Sequence, residues 1–282
     1  MMEKPNFSPY ATWESVKDFS EISQKAFEIY HEKVTHDLLL KFSPTQHLFV
    51  RQLYLAETSS FSIRLVTSWA MLLQALALTR IRHEHTIICS YIINEKESIG
   101  LEPFVKHISI NNFLNARAAM YDNGIAKYLN IDMDKLKAEV VNDQSSFTPD
   151  FDINHDKFER KWTKLDLRTM AKRRDELTAE QIAISKDSLE RDYVSLYKTA
   201  SSIVHSDVSA LSHSFMDIFV IRHDSSAMLM PLPNWATMSV AFTSRYDMVQ
   251  VFEVLKFLGL NCEREFTELR NVWLVSIKKH LE

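Results

Sequence analysis

A chain of 282 residues with 46% hydrophobic content can bury a sizeable core, as one large domain or two small ones. A net charge of −4 excludes a globally basic nucleic-acid binder while leaving room for a local patch. Two cysteines, Cys89 and Cys262, exclude a disulfide framework and a four-thiolate zinc centre.

Three glycines and seven prolines are too few for the tight turns of a strand-rich protein, so an all-α fold is expected. Residues 1–10 lack the apolar run of a secretory leader, and Leu65–Thr79 is shorter than the ~20 residues of a membrane span. A reducing, cytoplasmic setting with no membrane contact is the expectation.

Between Thr12 and Leu40 the residues Trp13, Val16, Phe19, Ile22, Phe27, Ile29 and Tyr30 predict an amphipathic helix, with a break near Ser20. Ser43-Pro44 marks the next start, serine as N-cap and proline at the first helical position. Residues 45–96 read as helical almost throughout, with Thr58-Ser-Ser-Phe-Ser62 as an interruption and Phe61–Ile93 as the hydrophobic centre. Pro103–Asn123 is a weaker helix, stopped at Asn123-Gly124. Asp132 or Asp134 can cap a short helix to about Val141, and residues 142–156 read as a loop.

Phe158–Glu176 reads as a basic helix: between Lys157 and Arg174 eight Lys or Arg face two acids, a local charge of +6. Thr178-Ala-Glu-Gln181 predicts a capping box that opens a long helix to about Ser206. An irregular or β-hairpin insertion is expected near 216–233, then two helices, 235–258 and 262–281, divided by Gly259. The whole reads as an all-α bundle of about seven to nine helices: an N-terminal helical extension, 1–50, and a bundle domain, 51–282.

Within the expected long helix, Tyr193, Tyr197, Ser201 and His205 recur every fourth residue and stack into one polar stripe. Such a row against an apolar wall is costly unless something pairs with it, and Arg80-Ile-Arg-His-Glu84 offers a guanidinium and a carboxylate one turn apart. The pattern resembles a bacterial helical family catalogued as a domain of unknown function. The marks are Arg80 and Glu84, then Trp162 and Met170-Ala171, then the four-residue ladder, over roughly residues 55–260. More distantly it is similar to HEPN ribonucleases, whose Arg and His are separated by four to six residues, as Arg80 and His85 are, although Ile81 stands where a polar residue is typical there.

That resemblance implies a metal-independent endoribonuclease or toxin-type effector of anti-phage defence, acting as a homodimer, with RNA and a partner protein encoded nearby as partners. His205 would be the general acid or base, Arg80 the phosphate clamp, Glu84 its orienting carboxylate and Tyr197 a further hydroxyl. Tyr193, Ser201, Arg168 and Lys172 would bind substrate. The alternative is a non-enzymatic interaction module whose polar stripe is a structural network between helices. No cofactor is expected. His83-Glu84-His85 is a poor metal set, because adjacent helical positions diverge by about 100°, and surface histidines at a helix end are expected instead.

Overall fold

The computed structural model describes residues 13–68, 71–120, 132–144, 152, 161–180, 187–197 and 235–281. The described residues form ten α-helices, two of them single turns, and no sheet. They are α1 (Trp13–Lys33), α2 (His36–Leu39), α3 (Pro44–Ser68), α4 (Leu72–Asn94), α5 (Leu101–Ala119), α6 (Met133–Gln144), α7 (Leu167–Leu177), α8 (Leu189–Asp192), α9 (Trp235–Phe257) and α10 (Glu263–Leu281). A π-helical turn, Tyr193–Tyr197, continues α8. The expected all-α bundle is what forms. The insertion expected at 216–233 lies outside the described residues.

The chain divides into two compact units, one of residues 1–93 and 167–282, the other of residues 94–166. The boundary expected at residue 50 falls inside α3, and α1 belongs to the larger unit. There α9 is the central helix, packed against α1, α3 and α10. Val16, Phe19, Ile22, Ala26, Phe27 and Tyr30 are all buried, the three- and four-residue spacing that turns one face of α1 to the core. No break occurs at Ser20. α1 runs to Lys33, and the Ser20 carbonyl accepts a hydrogen bond from Arg64.

Ser43 and Gln46 form a reciprocal cap ahead of Pro44: the Gln46 amide donates to the Ser43 hydroxyl and the Ser43 amide to the Gln46 side chain. The interruption expected at 58–62 is absent. Thr58, Ser59 and Ser62 each donate to the carbonyl four residues back, so their hydroxyls are satisfied inside the helix and offer no competing turn. At the far end, Gly259 takes φ = 77°, a left-handed conformation that suits glycine, and separates α9 from α10 as expected.

The smaller unit pairs α5 with α6 around Ile110, Phe113 and Val140, flanked by Leu114, Met133 and Leu136. The Asp132 carboxylate accepts from the Lys135 amide and caps α6, which extends three residues past the expected end. The Asn123-Gly124 stop lies outside the described residues. Among the described residues no helix is long and apolar enough to cross a membrane.

Candidate functional site

Arg80 and Glu84 are one turn apart on α4, and Arg80 Nη2 lies 3.0 Å from Glu84 Oε1. Tyr197 arrives from the π-helical turn. Its hydroxyl donates to Glu84 Oε1 at 2.8 Å and accepts from Arg80 Nη2 at 3.2 Å. The guanidinium carbon lies 4.9 Å from the Tyr197 ring centroid, and Tyr193 stacks on Tyr197 with centroids 4.4 Å apart and planes at 15°. Arg80 and Glu84 keep 16% and 26% of their side chains exposed, while Tyr197 is buried.

Electrostatics follow from that half-sheltered position. Burial opposes the Arg80 charge, but the Tyr197 hydrogen bond and the Glu84 carboxylate outweigh it and raise the guanidinium pKa. Burial raises the Tyr197 pKa above the ordinary phenol value, with the bond from Arg80 working the other way and Glu84 adding to the rise. The cluster at neutral pH is therefore a guanidinium held between a phenol and a carboxylate.

The long helix expected from Thr178 is not continuous. Residues 178–180 form a turn after α7, residues 187 and 188 are non-helical, and the helix restarts at Leu189. The restart has a local cause. Ser188 caps α8 by accepting from the Arg191 amide, and the Asp175 carboxylate receives the Ser188 hydroxyl and the Leu189 and Glu190 amides. Thr178 is buried instead, with its hydroxyl turned onto the Arg174 carbonyl. The switch to π geometry then sets Tyr193 and Tyr197 ring on ring.

His83 lies behind the cluster and is fully buried, which corrects its expected place at the surface. Its Nε2 is 3.2 Å from the Leu189 carbonyl, and its ring stacks on Tyr246 at 4.7 Å and 18°. Burial, then the charges of Arg245 and Arg82, push its pKa down to about 3. His83 is thus a neutral wedge between α4, α8 and α9. Among the described residues no group of His, Cys, Asp or Glu is arranged to hold a metal ion.

Deeper still is a polar layer that sequence reasoning missed. Arg82 is wholly buried and donates to Asp247 from Nε and Nη2 at 3.0 and 2.9 Å, to Thr86 at 2.7 Å and to Gln250. Ser23 and Ser60 donate to the same Asp247. Six residues along α9 from Asp247, Glu253 takes the buried Arg174, whose Nη1 also donates to the Asp187 carbonyl at 2.8 Å. Arg245 pairs with Asp192, and Arg270 with Asp187. The signal was present: Ser239, Thr243, Asp247, Gln250 and Glu253 recur at three- and four-residue steps in the most apolar helix.

The basic stretch is shorter as a helix than expected, Leu167–Leu177, and less free in charge. Arg174 is sealed against Glu253, Arg173 pairs with Glu176, and Arg168 pairs with Glu190 at 3.1 Å beside the π-helical turn. Lys172 is exposed. Met170 and Ala171 are buried, and Trp162 packs edge-on to Phe104 in the smaller unit. The site therefore assembles Arg80, Glu84, Tyr193 and Tyr197, with Arg168 anchored to Glu190 just ahead of them. Ser201 and His205 lie outside the described residues.

A family model described as a family of unknown function (DUF5677) matches residues 44–218, and the chain belongs to that family. No curated protein and no solved structure matches the chain.

Proposed function

From membership of a family with no assigned activity, we propose that the Arg80–Glu84–Tyr197 cluster is the phosphate-handling half of a HEPN-like, metal-independent endoribonuclease site, in a toxin-type effector. The observation that carries this reading is the meeting of a guanidinium, a carboxylate and a phenol from segments 113 and 117 residues apart, at a partly exposed edge. A π-helical turn supports it, since such turns occur frequently at functional sites. Arg80 clamps the scissile phosphate as a fixed fork of donors, and Glu84 and Tyr197 hold that fork in place. His205, eight residues beyond Tyr197 in sequence, takes the proton of the ribose 2′-hydroxyl as its oxygen attacks phosphorus; the P–O5′ bond breaks, and the leaving 5′-oxygen takes a proton from water. The products are a 2′,3′-cyclic phosphate and a 5′-hydroxyl.

A second reading has its own support. Arg80, Glu84 and Tyr197 satisfy one another, as a structural lock between α4 and the π-helical turn would. The chain is then a non-enzymatic interaction module.

The test incubates wild type and His205→Ala with total RNA and no added metal, with thermal melting alongside. The nuclease reading expects cleavage with cyclic-phosphate ends by wild type, and a folded, inactive variant. If neither protein cuts RNA and the variant melts much lower, the lock is the correct reading.

A further inference from the structure

α3 has two faces, and the outer one is apolar without being covered. Phe49, Leu53, Ala56, Ser60, Ile63 and Thr67 turn inward and are buried. Tyr54, Leu55, Phe61 and Leu65 turn outward, exposed at 67, 48, 58 and 47%. At 100° per residue Thr58 is the midpoint of the outer face, with Arg51 and Leu65 on its line, Tyr54 and Phe61 to one side, and Leu55 and Ser62 to the other.

The serine and threonine hydroxyls on this face ask for no partner. Thr58 donates to the Tyr54 carbonyl, Ser59 to Leu55, Ser62 to Thr58 and Ser68 to Leu65. Covering them strands no donor, so the face behaves as an apolar surface of large knobs with small gaps between them. Beside Phe61 and Leu65 it continues into a groove of about 440 Å³ against α1, with Val16 at its wall and Lys17, Glu21 and Arg64 supplying charges of both signs around it. Tyr54 and Leu55, the most N-terminal knobs, are one to two turns along the same helix from that groove.

We propose that this face binds a second copy of the chain, α3 antiparallel to α3, about a two-fold axis at Thr58. The pattern is its own complement under that operation. Tyr54 of each copy meets Phe61 of the other at the lip of the groove, Leu55 fills the gap at Ser62, and the Arg51 stem covers Leu65. Thr58 faces itself. On the seam itself Arg51 meets Leu65 rather than its own copy, and Glu57 lies off it, tied to His31. An unrelated partner would not require these pairings to match about one residue. The interface goes beyond the nuclease reading and holds whether or not the chain cuts RNA.

The test uses the full chain. Sedimentation of wild type on the order of 100 µM is expected to give a dimer mass. Two helices packed ~8–10 Å apart bring opposed Thr58 Cα atoms within disulfide reach. Thr58→Cys is therefore expected to cross-link on mild oxidation. Ser68→Cys, ~15 Å along each helix from the axis, is expected not to cross-link. The native Cys89 and Cys262 are buried and stay out of the reaction. Phe61→Glu, at an exposed position, is expected to be monomeric with unchanged helical content. A monomeric wild type, equal cross-linking of the two cysteine variants, or a dimer that survives Phe61→Glu each overturns the interface.

Discussion

Arg80 and Arg82 are two residues apart on one helix, and the contrast between them separates the two polar regions of the larger unit. Arg82 has no exposed surface, and Asp247, Gln250, Thr86 and Ser60 surround it. Arg80 rests at an edge with one carboxylate and one phenol, still 16% exposed. A guanidinium sealed from water serves the fold, because removing either partner strands a charge. A guanidinium that meets solvent can exchange a partner for a ligand oxygen. Burial, rather than residue type, separates the two guanidiniums.

The sharpest way to break the comparison is at the sealed layer. Asp247→Ala leaves Arg82 buried without its carboxylate and is expected to cost ~3–5 kcal/mol, read by urea unfolding. A loss no larger than that of an exposed pair would mean that water reaches Arg82. Glu253→Ala should follow the same course through Arg174.

The wedge between the regions is tested by pH. His83 is held to about 3 against an ordinary 6.5. Above pH ~6.5 it is neutral in both folded and unfolded chains. Below that value the unfolded chain takes up a proton that the folded chain refuses, so stability is lost as pH falls from ~6.5 toward ~3. The slope is ~1.4 kcal/mol per pH unit for one proton. His83→Gln should remove that slope in unfolding curves recorded across the range. An unchanged slope would assign it to other groups.

The smaller effects belong to the open cluster. Tyr197→Phe removes one hydroxyl and leaves Arg80 and Glu84 paired, so a loss of ~1 kcal/mol is expected, against a much larger loss of any RNA cleavage. Arg168→Ala breaks an exposed pair with Glu190 and should change stability by less than ~1 kcal/mol. A bigger shift in the melting of Arg168→Ala would make that pair a clasp on the π-helical turn.

How far the sequence could be read follows from the range of the interactions involved. Helix starts and stops such as Ser43-Pro44 and Gly259 are local and were legible, and the sequence narrowed the cap of α6 to Asp132 or Asp134, of which Asp132 takes it. The meeting of Arg80, Glu84 and Tyr197 was legible because two polar stripes in apolar helices had to find partners. The buried layer was not read, although α9 carries the same kind of stripe, because Asp247 and Glu253 look like solvated charges until α1, α3 and α4 close over them. Thr178-Ala-Glu-Gln181 has the pattern of a cap, but the Asp175 carboxylate favours Ser188 thirteen residues later, and tertiary contacts decided between them. Basic charge also misled, since Arg174 is an internal pair and contributes nothing to a surface.

Arg80→Gln, compared with wild type in metal-free RNA cleavage and in urea unfolding on the same preparations, tests the central claim most directly. The account predicts that cleavage falls by a factor on the order of 100 or more while stability drops by no more than ~2 kcal/mol. A wild type that leaves RNA intact, or an Arg80→Gln protein that loses as much stability as Asp247→Ala, would contradict it. Arg80 would then join Arg82 as part of the scaffold.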